Sequence, residues 1–181
     1  FWALDVGRAQ ARFFPAIHPL QSYSADIDVL VTFWSQHGHP HWLEQRRRFL
    51  GLLEQQARLE RMARIVGKDA LPPRQQHVLL CAELINEAFL RQSAFSVNDR
   101  YCSASRQIAM MQIITRFIEL SETAIEQQVS IEAISTLPVI RRVRRMAEDI
   151  EFDQLDKFDS LRDDLESGFA RLGKEAAAHA S

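Results

Sequence analysis

The 181-residue sequence has few of the features that often stabilise or localise a small protein. Its two cysteines, Cys81 and Cys102, are too few for a disulfide scaffold and fit a reducing compartment. It has no run of about 18 apolar residues, so no segment is predicted to span a bilayer. The 22 basic and 24 acidic side chains leave a formal net charge of -2, so no overall positive field attracts nucleic acid or an anionic membrane.

Motifs of common catalytic sites are also missing. The pair Gly67-Lys68 lacks the earlier glycine and the following hydroxyl residue of a phosphate-binding P-loop. The sequence contains no HExxH, CxxC or nucleophile-elbow motif. We therefore identify no catalytic residue and no set of metal ligands, and we expect this chain by itself not to be an enzyme.

The pattern of apolar residues predicts an all-α fold. Glycine is scarce, with six residues, strand-like alternation is nearly absent, and helical spacing dominates from Ala25 onward. We predict a bundle of about five to seven helices over 25–172, preceded by an irregular segment at 1–24 and followed by a flexible tail at 173–181. Within 1–24, Pro15 and Pro19 disfavour regular structure, so at most a short helix is expected at Val6–Arg12. The main helices are predicted at 26–36, 41–66, 72–92, 103–128, 131–136, 138–148 and 153–172.

Two groups of residues suggest chemistry but have plainer interpretations. His37, His39 and His41 alternate, yet Gly38 and Pro40 lie between them, so a solvated interhelical loop is favoured over a metal site.

The cysteines also favour structural roles. Cys81 lies on the apolar face of the third predicted helix and is interpreted as a core residue. Cys102 lies at a predicted helix start, where the pKa of its thiol could be lowered, but no histidine is close in sequence.

A strongly charged region lies near the carboxyl end. The sequence RRVRR at 141–145 precedes nine acidic residues between Glu148 and Glu166. Two interpretations stay open: solvated helix faces with internal ion pairs of small value, or a charged docking surface for a partner. Nucleic-acid binding is less favoured because the neighbouring acids repel phosphates.

Phe13, Phe14 and Phe95 lie in irregular segments rather than on periodic apolar faces. Such rings either pack a loop on a helix or form a slot for another flat ring, since aromatic faces stack well on nucleobases.

Several segments resemble a known family in one order and at similar spacings. They are FWALD at 1–5, RFFPAI at 12–17, SYS at 22–24, IVGKDALPPR at 65–74, FLRQSAFSVNDRYC at 89–102 and LPVIRRVRRM at 137–146. Together they resemble the catalytic A subunit (alpha chain) of V-type and archaeal A-type rotary ATPases, over roughly residues 1 to 148. The sequence departs from the family pattern at His18-Pro19, where that pattern has Asn-Trp, and at Ser93, where it has Asn.

The resemblance implies a C-terminal helical domain whose first residues lead out of an absent nucleotide-binding domain, and a chain that starts with Phe fits this expectation. The parent subunit of the family synthesises or hydrolyses ATP and couples this to proton or sodium transport. Its partners are the B subunits and the rotor subunit of the central stalk. The implied location is cytoplasmic, in the soluble head peripheral to the membrane, without membrane insertion and without a nucleic-acid partner.

The resemblance also implies site residues. The family's adenine pocket corresponds to Phe14, Ala94 and Phe95, so ATP or ADP is the expected ligand. The ligands of the phosphates and of Mg²⁺ lie upstream in the family and are absent here. The region Arg141–Glu151 is the implied rotor-facing surface. The alternative is a stand-alone helical protein-interaction module with no nucleotide role.

Overall fold

The computed structural model describes residues 1–93, 96–100 and 102–179. Over these ranges the chain is helical and contains no strand, only isolated bridges, which confirms the all-α prediction. The helices are α1 (Val6–Gln10), α2 (Ile27–Gln36), α3 (Trp42–Val66), α4 (Pro73–Leu84), α5 (Val97–Arg100), α6 (Ala104–Glu126), α7 (Ile131–Ser135), α8 (Pro138–Arg144), α9 (Met146–Asp149) and α10 (Asp156–His179).

The helix boundaries follow recognisable local signals. Ser103 caps α6 by accepting a hydrogen bond from the Arg106 amide at 3.2 Å, and Ser130 caps α7 in the same way. Pro138 occupies the first turn of α8, where its missing N–H has no helical partner to lose. Gly67 follows α3 with φ of 88°, a conformation that favours glycine.

The third predicted helix is not regular to its end. The α-helical part, α4, continues as a π-helical segment at Ile85–Leu90, and the chain is extended from Arg91. The Arg91 amide donates to the Asn86 carbonyl at 2.9 Å, the five-residue spacing of a π turn. The predicted helix over 72–92 is thus helical as far as Leu90, but its last part is π-helical, because apolar periodicity does not distinguish α from π winding.

Three other segments differ from their predicted form. Part of the expected loop at 93–102 is the short helix α5, and the helix expected at 138–148 is divided at Arg145 into α8 and α9. The last helix starts at Asp156 and continues to His179, beyond the expected end at Leu172.

Helix α6 is the centre of the core. It packs between α4 and α10, and its side chains Ile114, Phe117 and Ile118 are fully buried. The ring of Phe117 meets that of Phe169 on α10 edge to face, with centroids 5.9 Å apart. The core thereby fixes α4 and α6 as a rigid pair, and the loop between them lies at one end of the bundle.

Candidate functional site

The first 24 residues fold back on themselves and carry Phe14 to that end of the bundle. The Asp5 amide donates to the Ala16 carbonyl at 2.9 Å, and the His18 amide donates to the Ala3 carbonyl at 2.8 Å. These bonds flank an antiparallel bridge between the segments before and after α1. The side chain of Asp5 also caps α1, which confirms the predicted short helix.

A tight reversal at the end of α1 directs the two phenylalanines. The Arg12 amide donates to the Ala9 carbonyl at 3.0 Å, and the Phe13 amide donates to the Arg8 carbonyl at 2.9 Å. This pair of bonds is the Schellman pattern, which places Arg12 in the left-handed region with φ of 57°. The chain then leaves the helix with Phe13 and Phe14 in succession.

The structure places Phe13 and Phe14 in different surroundings. The ring of Phe13 is half-buried between two guanidinium groups, with Arg8 4.7 Å and Arg91 5.8 Å from its centroid. The ring of Phe14 is 55% exposed. Phe13 therefore has the packing role, and Phe14 presents an accessible aromatic surface.

Backbone and side-chain hydrogen bonds hold this segment against the π-helical segment. The Gln92 amide donates to the Phe14 carbonyl at 2.6 Å within an antiparallel bridge. Arg8 Nη1 donates to Asn86 Oδ1 at 2.9 Å, and Asn86 Nδ2 donates to Gln56 Oε1 on α3 at 3.0 Å. The position of Phe14 is thus set by α1, α3 and the π-helical segment together.

Phe14 lies beside the chain that leads to the other two predicted site residues. Ala94 and Phe95 lie outside the described residues, so of the three only Phe14 has a described position. Gln92, bridged to Phe14, is two residues before Ala94, and the Ser96 amide donates to the Ser93 carbonyl at 3.2 Å. The chain just before Ala94 therefore lies beside Phe14, through Gln92.

The sequence analysis missed a buried arginine behind this loop. Arg106 on α6 is 1% exposed, and its guanidinium donates to three carbonyls at the end of α9 and beyond. It occupies the apolar stripe that continues through Met110, Ile113 and Phe117, at spacings of four, three and four residues. A charge at a position where the pattern demands an apolar residue is the signal that could have identified it.

The basic sequence at 141–145 is largely paired within the chain. Arg142 pairs with Asp164 on α10, Arg144 with Glu87, and Arg145 with Asp149. Arg141 is exposed and pairs with no carboxylate of the described residues. The interpretation of internal pairing is confirmed for three of the four arginines.

We expected the whole histidine tract to be a solvated loop, but one of its three histidines is buried. His39 is 3% exposed, and its burial lowers the pKa of the imidazole. His37 and His41 are exposed, and no three potential ligands converge on a metal position in the described part of the chain.

The pKa of the thiol is raised in both cysteines. Cys81 is fully buried, as predicted, and its burial raises the pKa of the thiol to about 12. The pKa of Cys102 is also raised, because desolvation outweighs the effect of Arg106. The lowered pKa considered for Cys102 is therefore wrong.

Within the described ranges, no helix is long and apolar enough to cross a membrane.

Comparison with known proteins shows the family of this chain. Residues 32–135 match the C-terminal domain of V and A type ATP synthase. The A subunit of the A-type ATP synthase of Thermococcus onnurineus is 38% identical over 178 residues, 98% of this chain and 30% of that protein. The corresponding protein is 36% identical over 179 residues in Thermococcus kodakarensis (98% and 30%), and 39% identical over 175 residues in Staphylothermus marinus (97% and 30%). The chain thus spans about 30% of the length of these curated relatives. Because the family match covers more than half of the chain, the chain belongs to the family of the C-terminal domain of V and A type ATP synthase.

Proposed function

We propose that the chain serves as the C-terminal domain of the catalytic subunit of a rotary ATP synthase or ATPase and forms the adenine side of its nucleotide site. Phe14, Ala94 and Phe95 are the residues that we assign to adenine. Residues 1–24 connect this wall to a nucleotide-binding domain, and 25–172 form the helical domain that supports it.

The observation that carries this proposal is the exposed ring of Phe14, whose backbone is bridged to Gln92. A planar base stacks on an exposed aromatic face, and adenine has no charge that would require a buried counter-ion. Phe14 is also fixed from two sides, through Arg8 and through the Gln92 amide, so stacking would not require the loop to become ordered first.

In this proposal, other parts of the assembly carry out the chemistry of ATP. The complete enzyme would couple synthesis or hydrolysis of Mg-bound ATP to transport of protons or sodium ions. Phosphate and Mg²⁺ ligands would come from the nucleotide-binding domain, because this sequence contains no P-loop. We therefore expect no ATP turnover by this chain alone.

The proposed partners are the B subunits and the rotor subunit of the central stalk. The region Arg141–Glu151 is our candidate for the rotor-facing surface. It contains the exposed Arg141, which has no carboxylate partner in the described part of the chain, whereas Arg145 is already engaged by Glu148 and Asp149. Exposed rim charges of this kind influence association rate and its salt dependence more than affinity.

The test of the adenine assignment is Phe14→Ala in the complete catalytic protein within the assembled enzyme. Loss of one stacking partner should weaken ADP binding roughly 5- to 150-fold, measured by titration of the catalytic sites. Phe14→Trp should retain most of the affinity, because it keeps an aromatic face.

The matched control is Phe33→Ala, which removes an exposed ring of 42% exposure from α2. It should leave ADP affinity unchanged. If Phe14→Ala binds ADP within twofold of wild type, or no more weakly than Phe33→Ala, the assignment of Phe14 to adenine is wrong.

A further inference from the structure

Asn86 in the π-helical segment has each polar atom of its side chain in a hydrogen bond. Its Nδ2 donates to Gln56 Oε1 on α3 at 3.0 Å and to the Ala82 carbonyl at 2.9 Å. Its Oδ1 accepts from Arg8 Nη1 at 2.9 Å. An amide whose donor and acceptor atoms all have partners has one defined orientation, so Asn86 offers Arg8 an acceptor at a fixed position.

Arg8 connects this acceptor to the segment that carries Phe14. Its guanidinium lies against the ring of Phe13, 4.7 Å from the centroid, and its carbonyl accepts from the Phe13 amide at 2.9 Å. The side chain and the backbone of Arg8 therefore both contact the residue directly before Phe14. Asp5 fixes the backbone of Arg8 as well, because its carboxylate accepts from the Arg8 amide at 3.0 Å.

The guanidinium of Arg8 depends on Asn86 for its position. Burial lowers the pKa of this guanidinium, although the Asp5 carboxylate nearby acts in the opposite direction. Among the described residues, Asn86 Oδ1 is the one hydrogen-bond acceptor of the Arg8 side chain, and Arg8 Nε is buried without a partner. Because a hydrogen bond to a partly desolvated cation is stronger than one in water, we expect the side chain to shift when Asn86 is truncated.

The chain after the π-helical segment completes the connection to Phe14. The Arg91 amide donates to the Asn86 carbonyl at 2.9 Å, and the Gln92 amide donates to the Phe14 carbonyl at 2.6 Å. The backbone of Phe14 thereby belongs to a closed ring of four hydrogen bonds, whose members in order are Asn86, Arg8, Phe13, Phe14, Gln92 and Arg91. Loss of the bond between Asn86 and Arg8 opens this ring and leaves Phe14 held from the Gln92 side.

We propose that Arg8 and Asn86 are positioning residues for the adenine side of the nucleotide site, because they fix the backbone that carries the ring of Phe14. Neither side chain is assigned a contact with nucleotide. This inference rests on the proposed function, because it concerns the same adenine wall. It also gives the π-helical segment a function in nucleotide affinity, and π turns often lie at functional sites in other proteins.

The test uses Asn86→Ala and Arg8→Met in the complete catalytic protein within the assembled ATPase. Each removes the bond between the two side chains, so the Kd for ADP should rise roughly three- to tenfold as Phe14 becomes less fixed. The KM for Mg-ATP should rise by a similar factor while kcat stays near the wild-type value. Arg8→Lys should retain most of the affinity, because an ammonium group can still donate to Asn86. If Arg8→Lys is as impaired as Arg8→Met, the hydrogen bond does not hold Phe14 and the inference is overturned.

A double-mutant cycle shows whether Asn86 acts through Phe14. The double variant Phe14→Ala with Asn86→Ala should bind ADP within twofold of Phe14→Ala alone, because a ring that is absent cannot be displaced. If the two losses of affinity multiply instead, Asn86 affects ADP binding by another route and the inference is overturned.

The matched control is Gln76→Ala at the other end of α4. Gln76 Nε2 donates to the Leu71 carbonyl at 2.8 Å, as Asn86 Nδ2 donates to the Ala82 carbonyl, and both residues are half-buried. Gln76→Ala should leave the Kd for ADP unchanged. If it weakens ADP binding as much as Asn86→Ala does, the role of Asn86 is general stability and the inference is overturned.

Phe14→Ala, measured in parallel, separates the two proposals. If Phe14→Ala weakens ADP binding and the Asn86 and Arg8 variants do not, the positioning role is wrong and the adenine assignment stands. If Phe14→Ala has no effect, both proposals are wrong.

Discussion

Replacement of Arg106 by methionine should destabilise the chain more than any substitution on its surface. Methionine keeps much of the aliphatic volume of the side chain but none of its donors. The carbonyls of Ala147 and Ile150, both within buried hydrogen bonds to Arg106, then have no donor from this position.

The hydrogen bonds of Arg106 set the size of the expected loss in the free energy of unfolding. A buried acceptor left without its donor costs roughly 1–3 kcal/mol, so two of them give about 2–6 kcal/mol. Removal of the desolvated guanidinium offsets part of this loss, and we expect about 3–4 kcal/mol. That is a large fraction of the roughly 5–15 kcal/mol by which ordinary domains are stable.

The assay is equilibrium unfolding in urea followed by circular dichroism, with the slope m compared between variants. Arg141→Met is the control, because Arg141 is exposed and has no ion pair with the described residues. The control should change the free energy of unfolding by less than about 0.5 kcal/mol. A loss below about 1 kcal/mol for Arg106→Met would refute the view that this cation satisfies the end of α9.

Two further predictions concern the α4–α6 pair and its capping. Burial lowers the pKa of His77 below its usual 6.5, so the unfolded chain takes up a proton more readily and stability is lost as the pH falls below about 6.5. His77→Gln can keep the hydrogen bond to Ser121 and should therefore reduce the fall in Tm between about pH 7.5 and 5.5. The fall that remains is due in part to His39. An unchanged fall in Tm would contradict the assignment to His77. Ser103→Ala removes the N-cap of α6 and should lower the free energy of unfolding by about 1 kcal/mol in urea, whereas Ser135→Ala, in the last turn of α7, should be nearly neutral. Equal losses in the two serine variants would show that capping does not explain the effect.

Local signals in the sequence were sufficient for most of the helical architecture. Capping and turn signals act through their own backbone neighbours, as at Ser103, Ser130, Pro138 and Gly67. The starts of α6, α7 and α8 and the end of α3 therefore lie within a residue of their predicted positions.

Features that depend on long-range contacts could not be predicted in the same way. The burial of His39 follows from the packing of α2 and α3, where Trp34 and Trp42 stack with centroids 5.8 Å apart. The distinction between Phe13 and Phe14 depends on Arg8 and Arg91, which the fold brings together from distant parts of the sequence. The candidate site residues were identified through a resemblance, whereas the hydrogen bond between Arg8 and Asn86 had no motif to indicate it.

The π-helical segment at Ile85–Leu90 has a consequence for how the chain tolerates changes in length. An α-helix turns by about 100° for each residue, and a π turn accommodates one residue more than an α turn. Loss of a single residue here would therefore allow regular α winding while Gln92 still leaves the helix in about its present direction. This segment can therefore lose one residue without turning the chain away from Phe14, whereas the same loss within the regular helix α4 would rotate everything after it by about 100°.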